Sequence, residues 1–250
     1  MRVSIVIPTL NEEECLPKLL ASIRAQTLQP HEIIVADAGS KDKTREVAES
    51  YGARVVQGGM PGPGRNRGAD AATGEILLFL DADVELWDND FLERSIGEFL
   101  ERKLDIATCD VYPISPSKLD HVMHKAYNTY VRVRGASFPH VPGFCIFVYR
   151  SLHHKICGFD ETVTFCEDHD YGKRAAQIGS FGFLKSKAVP VSTRRLQRDG
   201  RMTIAVKFAL AELHLQFIGP IRHDKFKYTF GHKKGKSAKQ GEYADKRERA

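Results

Sequence analysis

Two aspartates offer the clearest chemistry in this chain. Asp81-Ala-Asp83 directly follows the apolar run Ile76-Leu-Leu-Phe-Leu80. In extended backbone, residues two apart point to the same side, so both carboxylates can address one divalent cation. Hard cations such as Mg2+ or Mn2+ take these oxygens and complete their shells with water and substrate phosphates, which is how a nucleoside diphosphate would be held. A pair of solvated acids after a strand is the plain alternative. His140 and His169 could extend such a metal shell, but single histidines are more often ordinary hydrogen-bonded residues, and both are left out of the site. Arg194, Arg195, Arg198 and Arg201 cluster late in the chain. Their guanidinium forks match phosphate oxygens, although a solvated face is the simpler reading for most of them.

The elements that must position these groups follow from the apolar pattern. Residues 3–8 are a short β-branched run suited to a strand buried on both faces of a parallel sheet. Leu16, Leu19, Leu20 and Ile23 then repeat at helical spacing. Asn11 with Glu14 could form a capping box, but Pro17 sits best in a first turn, which places the helix start near residue 16 and leaves 11–15 as loop. Strands are expected at 32–36, 53–57 and 75–80, with a helix from about residue 42 to Gly52 and another at about 65–72. Residues 58–64, Gly-Gly-Met-Pro-Gly-Pro-Gly, are too rich in turn formers for a regular element and read as loop. The alternation specifies right-handed βαβ units, and it places Asp81 and Asp83 at the carboxyl end of a central strand, where open α/β sheets bind ligands. Further on, helices are expected near 91–101 and 118–131, and strands near 106–112 and 144–149.

A chain of 250 residues with 42% apolar content is sufficient for one α/β domain with an appendage. The net charge of +5 is concentrated: residues 222–250 hold ten Lys or Arg against four Asp or Glu, which leaves the remainder near neutral. A nucleic-acid-binding core is therefore not indicated. Cys15, Cys109, Cys145, Cys157 and Cys166 lie singly, without a CxxC pair, and read as reduced thiols. No secretory signal or bilayer-spanning run is present, so a cytoplasmic location is the expectation.

Taken together and in order, several segments resemble family 2 glycosyltransferases of the GT-A fold. They are Val3-Ser-Ile-Val-Ile-Pro-Thr-Leu-Asn-Glu, Val35-Ala-Asp-Ala-Gly-Ser-Lys-Asp-Lys-Thr, Arg65-Asn-Arg-Gly, Thr73-Gly-Glu-Ile-Leu-Leu-Phe-Leu-Asp-Ala-Asp, and Gly158-Phe-Asp-Glu with Glu167-Asp168. The resemblance covers about residues 1–195. It implies a GT-A, Rossmann-like, mostly parallel central sheet flanked by helices, and transfer of a sugar from a UDP- or GDP-linked donor with inversion. By the same resemblance Pro8, Thr9 and Glu12 meet the nucleoside, Asp37 contacts the base, Asp81 and Asp83 hold Mn2+ or Mg2+, and Asp81 also touches the donor. The usual acidic neighbour of Asp37 is replaced by Ala38, which leaves the nucleotide open. Arg65 matches a basic position near the nucleotide, or else is a surface arginine at a helix start. Glu167-Asp168 matches the acidic pair whose aspartate is the catalytic base. An Asp of unperturbed pKa near 3.9 is ionised and ready at neutral pH, and adjacent residues at a helix start diverge by about 100°, so Asp168 is assigned as base and Glu167 as its orienting partner. Two acids favourably placed in a helix dipole are the alternative.

Residues 1–195 are thus the expected catalytic domain, 196–222 an amphipathic helical segment and 223–250 a basic, flexible tail. The apolar arc of the second segment, followed at once by basic residues, suits an anionic membrane surface, and equally a helix packed on the domain or on a second subunit. The acceptor is expected to be a sugar hydroxyl or a polyprenyl phosphate. Two rival classes are a nucleotidyltransferase, whose Gly-, Arg- and Lys-bearing first loop is absent here, and a non-catalytic nucleotide-sugar binder or membrane scaffold, which would be expected to have lost one of these acids.

Overall fold

A computed structural model describes residues 1–135 and 138–223. Seven strands form one sheet: β1 (Val3–Thr9), β2 (Glu32–Asp37), β3 (Arg54–Gln57), β4 (Ile76–Leu80), β5 (Ile106–Ile114), β6 (Cys145–Tyr149) and β7 (Phe181–Ser192). Their order is β3-β2-β1-β4-β6-β5-β7. β1 pairs in parallel with both β2 and β4, whereas β6 runs antiparallel between β4 and β5. The sheet is therefore mostly parallel, with strand order reversing at β1 and β4. A crevice opens at such a reversal, beyond the carboxyl ends of the strands.

Alternation along each central strand divides the core into two layers. On β1, Val3, Ile5 and Ile7 face one side, together with Ile76, Leu78 and Leu80 of β4. That layer is closed by α1 (Leu16–Arg24), α2 (Thr44–Ser50) and α4 (Phe91–Glu101), the first of which buries Leu16, Leu19, Leu20 and Ile23. Val6, Leu77 and Phe79 face the other side, against α3 (Pro61–Ala71), α6 (Arg150–Lys155) and α7 (Glu167–Ala176). Every residue of β4 is buried, which explains why it reads as a continuous apolar run.

The first helix begins at Leu16 with Pro17 in its first turn, as the proline requires. Asn11 forms no capping box. It takes a left-handed conformation, and its side chain accepts the Lys41 N–H at 2.8 Å. The glycine-rich segment corrects the sequence expectation, because α3 starts at Pro61 and absorbs residues 61–64 instead of waiting for Arg65. Proline costs nothing in a first turn, whose N–H groups lack partners in any case. Gly68 on the same helix lies so close to β1 that a Cβ there would overlap the Val6 side chain. That close approach carries Arg65 over the end of the strand.

Three further helices complete the described chain: α5 (Lys118–Arg134), α8 (Arg194–Asp199) and α9 (Arg201–Phe217). After α9, the chain returns to bond the loop before α7, with the Thr164 N–H donating to the Ile221 carbonyl at 2.8 Å. No helix among the described residues is long and apolar enough to cross a membrane. The basic tail expected at 223–250 lies outside the described residues, apart from His223.

Candidate active site

Asp81 leaves β4 on the side facing α3 and α7, in step with Leu77 and Phe79. There Arg65, only 2% exposed, donates from Nη2 to Asp81 Oδ1 at 2.7 Å and from Nη1 to Glu167 Oε1 at 2.8 Å. One guanidinium thus joins the acid at the end of β4 to the acid that opens α7. A planar fork with separate nitrogens can bridge two carboxylates in this way, which a lysine ammonium does less well. Arg65 also leaves its buried Nε–H without a protein acceptor.

Both hydrogen bonds to the Asp168 carboxylate come from backbone. Its Oδ2 accepts the Gly143 N–H at 2.7 Å and its Oδ1 accepts the His169 N–H at 2.9 Å. A Cβ on Gly143 would run into Arg65 Nη2, which its two ion pairs hold in place, and approach Asp168 Oδ2 at 3.3 Å. The residue before the acidic pair, Cys166, is a non-glycine in the left-handed region, with φ of 57°. Such a conformation costs about 1–3 kcal/mol and is typically kept where geometry matters to function. Here it turns Glu167 toward Arg65 and Asp168 toward the cleft.

A second arginine organises the opposite wall. The end of β7 bonds the chain just past β4, with the Ser192 N–H donating to the Asp83 carbonyl at 2.9 Å. Arg194 is thereby set beside the aspartates, its Nε 3.2 Å from Asp83 Oδ2 and its two terminal nitrogens each 2.7 Å from a Glu12 oxygen. Burial, opposed by Arg65 and reinforced by the neighbouring Asp83 carboxylate, pushes Asp81 up to about 6. Burial and then Asp168 push Glu167 upward as well, against the pull of Arg65. Six acids, Glu12, Glu14, Asp81, Asp83, Glu167 and Asp168, line the cleft against Lys18 and Arg65, Arg194, Arg195 and Arg198. Two hard oxygen donors in such a place suit a divalent cation: Asp81 and Asp83 are the residues that would hold it, completed by ligand oxygens. Among the described residues no cluster of three or more His, Cys, Asp or Glu offers an all-protein cage.

These features line one cleft of about 1280 Å3, together with Pro8, Thr9 and Glu12. The family model for glycosyl transferase family 2 matches residues 4–157, the segment that carries the first loop, Arg65 and both aspartates. The chain belongs to that family. Among its relatives are the 4,4'-diaponeurosporenoate glycosyltransferase of Staphylococcus haemolyticus, 34% identical over 50% of this chain and 34% of that protein, and a PGL/p-HBAD biosynthesis glycosyltransferase of Mycobacterium bovis, 41% identical over 36% of this chain and 39% of that protein. This chain thus spans well under half the length of either. The fold is shared with S. aureus TarS 1-349, with a TM-score of 0.63 at 21% identity, covering 86% of this chain and 66% of that one. It is also shared with glucosyl-3-phosphoglycerate synthase from Mycobacterium tuberculosis, crystallised with Mn2+ and UDP, with a TM-score of 0.55 at 20% identity over 84% and 79%. The GT-A, Rossmann-like architecture follows from this likeness.

Within this family frame, the residues singled out in the sequence fall into two groups. Pro8, Thr9, Glu12, Arg65, Asp81, Asp83, Glu167 and Asp168 all line the cleft. Asp37 does not. Its carboxylate is buried and taken up by its own loop, accepting from the Gly39 N–H at 3.1 Å, the Ser40 N–H at 3.0 Å and the Thr9 hydroxyl at 3.2 Å. It ties the Gly39–Ser40 loop to Thr9 at the edge of the cleft. Arg65 is no surface residue at a helix start, and Arg194, for which the sequence leaves both a phosphate contact and a solvated face open, pairs with Glu12 and Asp83 in the cleft. A signal for Arg194 existed in its place directly after the last strand. His169 lines the cleft, with Nδ1 3.5 Å from Asp168 Oδ1, and His140 packs behind it. Their rings are 4.5 Å apart, and His140 Nε2 meets Glu212 of α9 at 2.7 Å. Nothing in the local sequence pairs residues 140 and 212. All five cysteines are free thiols.

Proposed function

We propose that this chain is an inverting glycosyltransferase that moves a sugar from a UDP- or GDP-linked donor to an acceptor hydroxyl or lipid phosphate. The observation that carries the proposal is the Arg65 bridge, which holds the paired aspartates after β4 and the acidic pair at the start of α7 against one cleft. Pro8 and Thr9, at the end of β1, and Glu12 bound the nucleoside end, and Asp37 acts there through its loop. Arg65 keeps Asp81 and Glu167 in register and carries a further buried donor. Glu167, committed to Arg65, is a positioning residue, whereas Asp168 is free of side-chain ion pairing to Arg65 and serves as base.

In the transfer, the acceptor oxygen bonds the anomeric carbon as the bond from that carbon to the diphosphate oxygen breaks. The electron pair leaves on the nucleoside diphosphate; a hydroxyl acceptor passes its proton to Asp168, whereas an ionised phosphate attacks through an oxygen that carries none. A Mg2+ or Mn2+ ion on Asp81 and Asp83 would supply Lewis-acid stabilisation of the leaving diphosphate. Backbone donors from Gly143 and His169 keep the Asp168 carboxylate aimed without consuming a side chain. A positioned base contributes about 10² to 10⁴ in rate.

The reading extends to location. Met202, Val206, Leu210, Leu213 and Phe217 form an exposed apolar stripe on α9. We place the protein in the cytoplasm with that stripe against the inner face of the cell membrane. Residues 1–195 are the GT-A unit, and 196–222 is the amphipathic segment that bears this stripe and also closes the cleft.

Calorimetry with UDP and GDP, each with and without Mn2+, tests the donor site. Metal-enhanced binding of one nucleotide is expected, and a donor screen should then release that nucleoside diphosphate. Binding of neither nucleotide in either condition would overturn the proposal. Binding without sugar release or transfer would favour a non-catalytic binder.

A further inference from the structure

The cleft is larger than its donor requires. Single small-molecule sites occupy roughly 300–1,000 Å3, whereas this one is about 1280 Å3. The excess has its own chemistry. The arginines and carboxylates described above line one region, but α5 and α9 contribute Met123, Tyr127, Ile204, Ala205 and Phe208 to the lining, and Phe144 and Phe165 add to it from the loops beside Gly143 and Asp168. Phe165 lies three residues before Asp168 and packs on Phe208 with ring centroids 5.6 Å apart. The apolar wall therefore begins next to the proposed base.

We infer that the acceptor carries an apolar chain adjoining its nucleophilic oxygen, and that this chain lies between α5 and α9 along Tyr127, Phe165, Ile204 and Phe208. This rests on the glycosyltransferase reading and names the class of its acceptor. A purely hydroxylic acceptor would surrender water to a wall that returns few hydrogen bonds, at a net cost. Of the side chains that α5 brings to the lining, His124 has its Nδ1 already engaged with the Asp120 carbonyl at 2.8 Å. An alkyl or isoprenoid chain gains from the same wall by losing water. The position also fits delivery: the outer side of α9 bears the apolar stripe described above, and on α5 Leu119 and Val122 are 55% and 63% exposed. An apolar chain would thus move between two apolar environments.

The test measures binding of short n-alkyl probes to the full chain by calorimetry, below their micelle concentrations. One arm uses n-alkyl β-D-glucosides from methyl to heptyl, and the other n-alkyl phosphates of the same lengths, so that a sugar head and a phosphate head are separated. Full burial of a methylene corresponds to about fourfold in affinity, and partial burial to about twofold. We expect affinity to rise by about two- to fourfold per added methylene in at least one arm. Ala205→Phe, which fills the groove, and Phe208→Ser, at a residue already 39% exposed, should flatten that slope. Nucleotide binding should stay within about twofold of the parent, reporting an intact fold. Equal affinity for methyl and heptyl probes in both arms would overturn the inference, as would an unchanged slope in Ala205→Phe. Loss of nucleotide binding by the parent chain with the slope preserved would instead overturn the donor reading and leave the groove standing.

Discussion

Replacing Arg65 by alanine removes the one cation shared by Asp81 and Glu167. Arg65 is 2% exposed, with bridges of 2.7 Å and 2.8 Å. Its loss leaves two carboxylates in a site where burial already pushes both upward. Breaking a buried ion pair by deleting one partner costs about 3–5 kcal/mol, mostly because the other charge is stranded. For a chain of this size each kcal/mol moves the melting temperature by about 2–4 °C, so Arg65→Ala should melt about 6–20 °C below the parent. Arg65→Lys keeps the charge but not the fork, and should fall between the two. The stranding argument has its own check: Arg65→Ala with Glu167→Gln removes one orphan charge and should recover part of the loss, about 1–3 kcal/mol. Thermal melts of the four proteins at pH 7.5 decide the matter. A loss under about 1 kcal/mol for Arg65→Ala would mean that water replaces the guanidinium, and would refute the claim that this residue holds the two acidic sites together.

Further outcomes follow from the same geometry. Asp168→Asn should lower transfer to a hydroxyl acceptor at least about 10²-fold while nucleotide affinity is retained, as steady-state rates and calorimetry would show; near-normal turnover would remove Asp168 from the mechanism. Gly143→Ala puts a Cβ into Arg65 Nη2 and should reduce stability by about 1–3 kcal/mol in urea melts, with unchanged stability refuting the tight contact. His153 is buried beside the Tyr171 hydroxyl, and burial, with His154 and then Arg174 contributing, pulls it down to about 4. Protonation therefore favours the unfolded chain: the His153 contribution is complete above about pH 6.5 and is lost as pH falls toward 4, amounting to about 3 kcal/mol. His153→Phe should flatten the stability profile over that window, and an unaltered slope would locate the titration elsewhere.

Legibility in the sequence tracked locality. The β4 run followed at once by Asp81-Ala-Asp83 announces both a buried strand and what stands at its end, because a strand exposed on neither face needs apolar residues throughout. Pro17 fixes the start of α1 for an equally local reason. The glycine-rich segment misled because composition was weighed without position: Pro61 and Pro63 are tolerated in a first turn, and Gly68 is demanded by contact with Val6, which only the packed sheet reveals. Arg65 and Arg194 show the same limit at the site. Each is an ordinary surface type by composition, and each becomes an organiser only because carboxylates 16, 102 and 182 residues away arrive beside it. Asp37 is the converse case, an acid whose nearest donors are its own next residues.

The match to the family ends at residue 157, yet the acid assigned as base comes at 168, on a helix from the other half of the chain. The two halves have different demands. On the proposed reading, the first would present strand ends to a donor whose diphosphate is the same whatever the sugar, while the second would shape itself to an acceptor. Such a transfer would require of both a fixed distance between leaving group and base, since misplacement by about 1 Å can cost 10²-fold. Arg65 supplies that constraint by direct contact from α3 to β4 and α7, and Gly143 supplies it again through its N–H on Asp168 and its carbonyl 3.4 Å from Arg65 Nη2. An acceptor wall built from α5 and α9 can then vary without disturbing the reaction geometry, because none of its apolar residues belongs to this bridge.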